Sequence, residues 1–116
     1  MKDWRNIVVS AETPLSETLL RIDREALQIA VVLDPNGRLQ GTITDGDIRR
    51  GLLRGLTLSS PISEVMNPNP ISLPVNVPRG HAFRFMRERN VRQCPAVDSA
   101  GILQGLYLLD DFLAPR

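Results

Sequence analysis

The chain is poor in several features that mark particular classes of protein. A lone cysteine, Cys94, excludes an intramolecular disulfide framework and fits a reducing compartment. No apolar run approaches the roughly 18 residues of a membrane span, and no charged-then-apolar leader is visible. The net charge is only +1, so nothing marks a surface for nucleic acid or an anionic membrane. We therefore expect a cytoplasmic protein with no nucleic-acid or membrane partner.

The sequence also lacks the motifs of catalysis. It contains no Gly-x-x-x-x-Gly-Lys-Ser/Thr loop, no nucleophile elbow, and no Cys/His or Ser/His set with an orienting acid. Asp45 and Asp47 lie two residues apart at a predicted helix start, where they point in different directions without a companion base. His81 has no second ligand at metal-binding spacing. We expect no catalytic residue, no metal site and no required cofactor.

An internal repeat is the main feature that is present. With 116 residues, 42% of them hydrophobic, the chain fits one compact domain that is internally doubled. A shift of 64 residues aligns eight identical pairs without a gap: Ile7 and Ile71, Pro14 and Pro78, Asp34 and Asp98, Gly37 and Gly101, Leu39 and Leu103, Gln40 and Gln104, Gly41 and Gly105, and Asp47 and Asp111. We divide the chain into a first repeat (1–58), a link (59–70) and a second repeat (71–116).

Each copy is predicted to run strand, helix, strand, strand, helix. In the first copy NIVVS is a strand, and Thr13 caps a helix that Pro14 opens. Apolar residues recur on one face of this helix, at Leu15, Leu19, Ile22 and Ala26.

A hairpin and a second helix complete the first copy. The hairpin LQIAVVLDPNGRLQGTIT turns at Asp34-Pro35-Asn36-Gly37, because proline presets the turn and glycine tolerates a positive φ. Asp45 is the predicted cap of the helix that runs to Leu53 and ends at Gly55.

The second copy follows the same plan after a proline-rich link. Residues 60–66 are predicted as a short helix and 67–70 as a rigid extended segment. PISL is then the strand, PRGHAFRFMRERN the helix, CPAVDSAGILQGLYLL the hairpin and DDFL the start of the last helix. Ala82, Phe83 and Met86 are predicted to face inward.

These features resemble a known family. The doubled unit, the link PISEVMNPNPISLP, the hairpin VRQCPAVDSAGILQGL and the exit GTITDGD are similar to a tandem cystathionine-β-synthase (CBS) domain pair, or Bateman module. The resemblance covers nearly the whole chain and implies an α+β fold of two pseudo-symmetric repeats. It also implies a homodimer formed through the CBS helices.

Within the family, DWRNI and TDGDIRRGLLRG most closely resemble the pair found upstream of a sugar-phosphate nucleotidyltransferase domain. The chain stops at LLDDFLAPR, where such a protein would continue. The resemblance therefore implies the regulatory part of a larger enzyme with a C-terminal nucleotidyltransferase domain.

The GTITDGDIRR segment is the candidate binding site. A strand that ends at a helix N-terminus offers free backbone N–H groups and a positive dipole end to a phosphate. Gly41 allows close backbone approach, and Asp47 is suited to accept from both hydroxyls of a ribose, as acidic residues do in dinucleotide-binding folds. Thr44 offers a hydroxyl, while Arg49 and Arg50 could neutralise phosphate charge.

The resemblance adds residues and shows departures. CBS repeats that bind adenine nucleotides carry Gly-apolar-x-Thr/Ser-x-x-Asp, which Gly41, Ile43, Thr44 and Asp47 match. In the second copy Leu108 replaces the threonine, although Asp111 is kept. The family's apolar-Pro pattern on the adenine side is kept as Cys94-Pro95, whereas the first copy has Ala30-Val31, preceded by Ile29. We expect at most one good site per chain, with the first copy favoured.

Simpler interpretations stay open. Asp45 and Asp47 are also suited to capping, Thr44 to an ordinary strand position, and Cys94 to a small buried hydrophobe. Arg49, Arg50 and Arg54 equally fit a solvated helix face. Three functions follow: a regulatory sensor of AMP, ADP or ATP, with Mg²⁺ accompanying ATP; a ligand-free assembly module; or a cleft for another ligand, such as a divalent cation with nucleotide.

Overall fold

The computed structural model describes residues 4–25 and 27–113, which separate into two compact units. The first unit holds residues 5–70, and the second holds residues 71–113 together with Trp4. Each unit has a three-stranded sheet and, within the described residues, two α-helices. The fold class is therefore α+β, as predicted.

The first unit places two helices around a mixed sheet. Its elements are a 3₁₀ turn at Arg5–Ile7, β1 (Val8–Val9), α1 (Leu15–Glu25), β2 (Ile29–Leu33), β3 (Leu39–Thr44), α2 (Asp45–Leu53) and a 3₁₀ turn at Ile62–Glu64. The central strand β2 pairs in parallel with β1 and antiparallel with β3. Its first four residues are buried, since the strand lies in the middle of the sheet.

The second unit repeats this arrangement in the same register. Its elements are β4 (Leu73–Pro74), α3 (Arg79–Glu88), β5 (Gln93–Val97), β6 (Leu103–Leu108) and α4 (Leu109–Leu113). Ile29 lies opposite Thr44 in the first hairpin, and Gln93 opposite Leu108 in the second, which is the same pair 64 residues later. An irregularity follows Val32 and, equivalently, Ala96. The predicted repeat is confirmed at the level of individual residue pairs.

In both hairpins an aspartate side chain holds the turn by hydrogen bonds, which explains why the sequence identities cluster there. The Asp34 Oδ1 atom accepts from the backbone N–H groups of Asn36 and Arg38, each at 2.9 Å. Asp98 accepts in the same way from Ala100 at 2.9 Å and Ile102 at 3.0 Å. The glycines three residues further on have φ of 86° and 83°, which is the left-handed region that favours glycine.

Each unit has its own apolar core. In the first unit the core joins α1, the sheet and α2, through Leu15, Ile22, Ala30, Val32, Ile43, Ile48 and Ile62. In the second unit it is built from Leu73, Ala82, Met86 and Cys94, with half-buried rings packed against it. In the part of the chain that the structure describes, no helix is both long and apolar enough to cross a membrane.

Several predicted boundaries differ from those observed. The NIVVS strand is a 3₁₀ turn followed by a two-residue strand, and PISL contributes only Leu73 to the two-residue strand β4. The short helix predicted at 60–66 is a single 3₁₀ turn. Phe83 is half-buried, whereas Ala82 and Met86 face inward as predicted. Ala26, predicted on the inner face of α1, lies outside the described residues.

The predicted cap at Thr13 is wrong. Its hydroxyl accepts instead from the backbone N–H of Ser10, at 3.0 Å. The first N–H groups of α1, at Leu15 and Ser16, donate to the carbonyls of Ser60 and Leu58 at 2.9 and 3.0 Å. The link between the repeats therefore closes the start of this helix, which a local sequence pattern does not reveal.

Candidate functional site

Thr44 and Asp47 meet at the N-terminus of α2 in a reciprocal pair of hydrogen bonds. The Thr44 hydroxyl accepts from the backbone N–H of Asp47 at 3.3 Å, and the Asp47 Oδ2 atom accepts from the backbone N–H of Thr44 at 2.9 Å. The same hydroxyl donates to Oδ2 at 3.1 Å. Thr44 has extended backbone angles, as the residue before a helix requires. The two side chains therefore form a capping box.

This geometry corrects the predicted cap. Asp45 was expected to cap α2, but it is the first residue of the helix and is exposed. The N-cap is Thr44, and Asp47 is the third helical residue. Thr44 is thus more than an ordinary strand residue, because its side chain is part of the helix start.

Arg50 extends the cluster. Its Nη2 atom donates to Asp47 Oδ1 at 2.8 Å, one turn along the helix. A Cβ built on Gly46 would lie 3.2 Å from Arg50 Nη1, so the guanidinium lies beside the first turn of α2. The 65% exposed Arg50 side chain meets a carboxylate that is only 21% exposed. The i, i+3 spacing of these residues was the sequence signal for this contact.

Arg49 and Arg54 lie apart from this cluster. Arg49 follows Asp47 by two positions, so the helix places it on another side, and it is exposed. Arg54 donates to the backbone carbonyl of Glu64, at 3.4 Å. Of the arginines predicted near the site, the structure brings only Arg50 to Asp47.

The close backbone approach predicted at Gly41 is made by the chain itself. A Cβ on Gly41 would lie 2.6 Å from the backbone carbonyl oxygen of Asn67 and 3.0 Å from the Met66 sulfur. Thr42, next to this glycine, exchanges two backbone hydrogen bonds with Asn67, at 3.2 and 2.8 Å. Gly41 therefore lets the link between the repeats lie against β3.

The apolar residues predicted at the site lie in the sheet. Ile29 and Ala30, on β2, pair with Thr44 and Ile43 on β3. The side chains of Ile29, Ala30 and Ile43 are buried. These buried residues fix the end of β3 that carries Thr44.

The equivalent position in the second unit has a different chemistry. Leu108 ends β6 where Thr44 ends β3, so no hydroxyl is available to cap α4. Asp111 is kept in the first turn of α4, and its backbone carbonyl accepts from Arg79 Nη2 at 2.9 Å. The reciprocal bonding of Thr44 and Asp47 therefore has no counterpart at this strand end.

Cys94 and Pro95 are fully buried in β5. Cys94 pairs across the sheet with Tyr107, and its thiol donates to the carbonyl of Ile71 at 3.8 Å. Burial raises the pKa of the Cys94 thiol to about 12. It also raises the pKa of Tyr107, with a further contribution from Cys94. The thiol is consequently neutral at physiological pH, in agreement with a small buried hydrophobe.

The family follows from comparison of the whole chain. The model of the CBS domain matches it twice, at residues 2–54 and 62–114. The chain belongs to the CBS domain family. Each matched segment contains one of the two three-stranded sheets, and the capping box lies in the first segment.

Several proteins are similar to this CBS pair. Arabinose 5-phosphate isomerase GutQ from Salmonella typhi is 35% identical over 104 residues, which cover 90% of this chain and 32% of the relative. CBS domain protein PAE2072 from Pyrobaculum aerophilum, solved in complex with AMP, has a TM-score of 0.85 at 22% identity, covering 100% of this chain and 88% of that one. The CBS domain pair of MJ0100, solved with 5′-methylthioadenosine and S-adenosyl-L-methionine, has a TM-score of 0.79 at 23% identity, covering 92% and 87%.

The second CBS repeat carries an aromatic cluster that was not predicted from the sequence. The Phe112 ring lies 5.4 Å from that of Phe83 and 6.3 Å from that of Tyr107. The Arg79 guanidinium lies 4.5 Å above Phe112, at cation–π distance. Alternation of arginine and phenylalanine along α3 was the available signal. Through the contacts of Phe83 and Arg79 with Phe112, the cluster packs α4 against α3.

Among the described residues, no group of three or more His, Cys, Asp or Glu side chains is placed to hold a metal ion. His81 is exposed on α3.

Proposed function

We propose that the first CBS repeat binds an adenine nucleotide at the start of α2 and that the chain is a regulatory, non-catalytic module. The observation that carries the proposal is the meeting of Thr44 and Asp47 at a helix N-terminus, in a repeat of this family. The ligands named for two similar structures support an adenine compound, since one was solved with AMP and the other with 5′-methylthioadenosine and S-adenosyl-L-methionine.

The start of α2 has the chemistry that a nucleotide requires. The helix dipole and the first backbone N–H groups favour a phosphate oxygen. The Asp47 carboxylate is partly accessible and is held in one orientation by Thr44, so it is placed to accept from ribose hydroxyls. The main chain at Ile29 and Ala30 begins the neighbouring strand β2, opposite the end of β3, and there it would line the adenine side.

The second repeat is not expected to bind equally well. Leu108 offers no hydroxyl to a phosphate, and Asp111 stands without the threonine that orients its counterpart. Cys94 and Pro95 keep the family's apolar pattern, but their side chains are fully buried. We infer one nucleotide site of good affinity per chain, formed by the first repeat.

The larger protein served by this module is a further part of the proposal. The chain spans about a third of the length of the curated relatives it matches, among which are the arabinose 5-phosphate isomerases GutQ and KdsD. We propose that nucleotide binding regulates a cytoplasmic enzyme of sugar-phosphate chemistry. These relatives support an isomerase, whereas a linked nucleotidyltransferase rests only on the resemblance of DWRNI and TDGDIRRGLLRG.

A second candidate function, assembly, is favoured by exposed leucines on the first repeat. Leu20 on α1 is 61% exposed and Leu53 on α2 is 81% exposed, although both residues are large and apolar. Burying such side chains against a second copy would be favourable. A homodimer formed through these helices is compatible with nucleotide binding. It predicts that Leu53→Glu lowers the mass measured by light scattering from dimer to monomer.

A thermal-shift panel tests the proposed ligand. The purified chain is heated with AMP, ADP, ATP, S-adenosylmethionine and 5′-methylthioadenosine, with and without Mg²⁺, and with CTP and GTP as base controls. A ligand at about a hundred times its dissociation constant adds about 2.7 kcal/mol, or several degrees, to a domain of this size. We expect a shift with an adenine compound and none with CTP. A flat panel at millimolar concentrations would contradict nucleotide binding and leave assembly as the function.

A further inference from the structure

We propose that Arg50 makes the site selective for phosphorylated adenine nucleosides over unphosphorylated ones. Its guanidinium competes with the ribose for the Asp47 carboxylate. The bond that Arg50 loses to Asp47 is replaced only when the ligand carries a phosphate. The inference rests on the proposed function and deepens it, because it decides between the AMP type and the 5′-methylthioadenosine type of ligand.

The hydrogen bonds of Asp47 set up this competition. An ionised carboxylate has about four acceptor positions. Oδ2 uses two of them on the backbone N–H and the hydroxyl of Thr44, and Oδ1 uses one on Arg50. A ribose presents two neighbouring hydroxyls. Both of them can be accommodated only if one existing partner gives way.

Arg50 is the partner that gives way most easily. The bonds from Thr44 belong to the capping box and involve a backbone N–H, so releasing them would open the start of α2. The Arg50 side chain is 65% exposed, and exposed ion pairs of this kind are weak because water competes for both charges. Ribose binding is therefore expected to displace Arg50 and to leave the capping box intact.

The position of the displaced guanidinium provides the selectivity. Arg50 Nη1 would lie 3.2 Å from a Cβ on Gly46, so the group is already beside the first turn of the helix. A phosphate bound by the first N–H groups of α2 would give the guanidinium a new, charge-assisted partner. A nucleoside without phosphate displaces Arg50 from Asp47 but gives the guanidinium no new acceptor. Because Gly46 has no Cβ, the guanidinium can lie against this turn of the helix.

The chain offers a matched control in Arg49. Arg50→Ala and Arg49→Ala remove the same charge from neighbouring positions of α2, but Arg49 lies on another side of the helix from Asp47. A general electrostatic effect on phosphate binding would be similar in both variants. Only the loss of a specific partner would separate them.

Isothermal titration of the full chain with AMP and with adenosine tests the inference. In Arg50→Ala we expect AMP to bind about tenfold more weakly, because one charge-assisted bond to phosphate is lost. Adenosine should bind equally well or a few-fold more tightly, since its competitor is gone. The AMP-to-adenosine preference should thus fall at least about tenfold, against less than about threefold in Arg49→Ala.

The possible outcomes distinguish a failure of the Arg50 inference from a failure of the proposed nucleotide binding. If wild type binds neither AMP nor adenosine, the proposed function fails and the selectivity fails with it. If wild type binds AMP but both variants lose the same preference, the role of Arg50 is overturned while nucleotide binding stands. Circular dichroism and the urea midpoint of each variant confirm that the variant is folded.

Discussion

The Thr44 hydroxyl and the Asp47 carboxylate bond to each other directly, at 3.1 Å, while each also bonds to the other residue's backbone N–H. The two side chains proposed to meet the nucleotide are therefore the ones that begin α2. We therefore expect removal of either residue to affect stability together with the proposed binding. Experiments on this site must measure the two properties separately.

The contribution of the capping box to stability can be measured alone. Thr44→Ala removes the hydroxyl and should lower the free energy of unfolding by about 1 kcal/mol. Thr44→Ser keeps the oxygen and should remain within a few tenths of a kcal/mol of wild type. Urea denaturation without nucleotide gives both values. Equal stability of the alanine variant and wild type would show that the hydroxyl does not hold the helix start.

Two helical glycines provide a matched test of packing. A Cβ on Gly51 of α2 would overlap the Val65 side chain and lie 3.3 Å from Leu56, whereas one on Gly80 of α3 would meet nothing within 4 Å. Gly51→Ala should therefore cost about 1 to 3 kcal/mol, although alanine favours helix. Gly80→Ala should stabilise by up to about 1 kcal/mol. The same sign for both variants in urea denaturation would contradict the close packing of α2 against residue 65.

The hairpins and the repeat were predictable because their signals are local. Asp34, Asn36 and Gly37 lie within four residues of one another, and the aspartate itself bonds to the turn that it precedes. The same residue types recur 64 positions later and give the same register. Turn chemistry of this kind depends little on the rest of the chain.

The site was only partly predictable, since some of its determinants are distant in sequence. The spacing of Thr44 and Asp47 indicated a functional helix start, but Asp45 was the equally reasonable choice of cap. The role of Gly41 depends on Asn67, 26 residues further on, and the start of α1 depends on Ser60. Such contacts arise from the tertiary fold, which a local pattern does not contain.

The Cys94 thiol should be protected in the native protein. Its pKa is raised to about 12 by burial, so the reactive thiolate is scarce at pH 8 and the sulfur is inaccessible. A thiol-reactive disulfide reagent should label the native chain slowly and the urea-unfolded chain at once. Fast labelling without denaturant would contradict the burial of β5.

The same shift gives stability an alkaline limit. The pKa of Cys94 is higher in the folded than in the unfolded chain, so its contribution is complete below about pH 8.5 and is lost as pH rises toward 12. The raised pKa of Tyr107 acts in the same direction. Cys94→Ala should show a shallower loss of urea midpoint above pH 9. An unchanged slope would show that the thiol does not contribute.

Asp98 should make the second repeat sensitive to acid. The backbone N–H of Ile102, with further bonds from Ala100, Gln104 and Gly101, holds the pKa of its carboxyl below the usual value. Stability from this group is therefore present above about pH 4 and is lost as pH falls through the lowered pKa. As pH is lowered, the urea midpoint should fall less steeply in Asp98→Asn than in wild type. The exposed control Glu88→Gln should change this slope less. Equal slopes of the urea midpoint at acid pH in the two variants would contradict this role of Asp98.

An NMR titration with AMP tests the central claim most directly. Backbone amides of a ¹⁵N-labelled chain report on the start of α2, at residues 44–47, and on the equivalent residues 108–111 of the second repeat in one experiment. We predict saturable shifts at Thr44 and Asp47 that exceed those at Leu108 and Asp111, and that CTP at the same concentration does not produce. Shifts confined to residues 108–111, or none at millimolar AMP, would contradict a nucleotide site in the first CBS repeat.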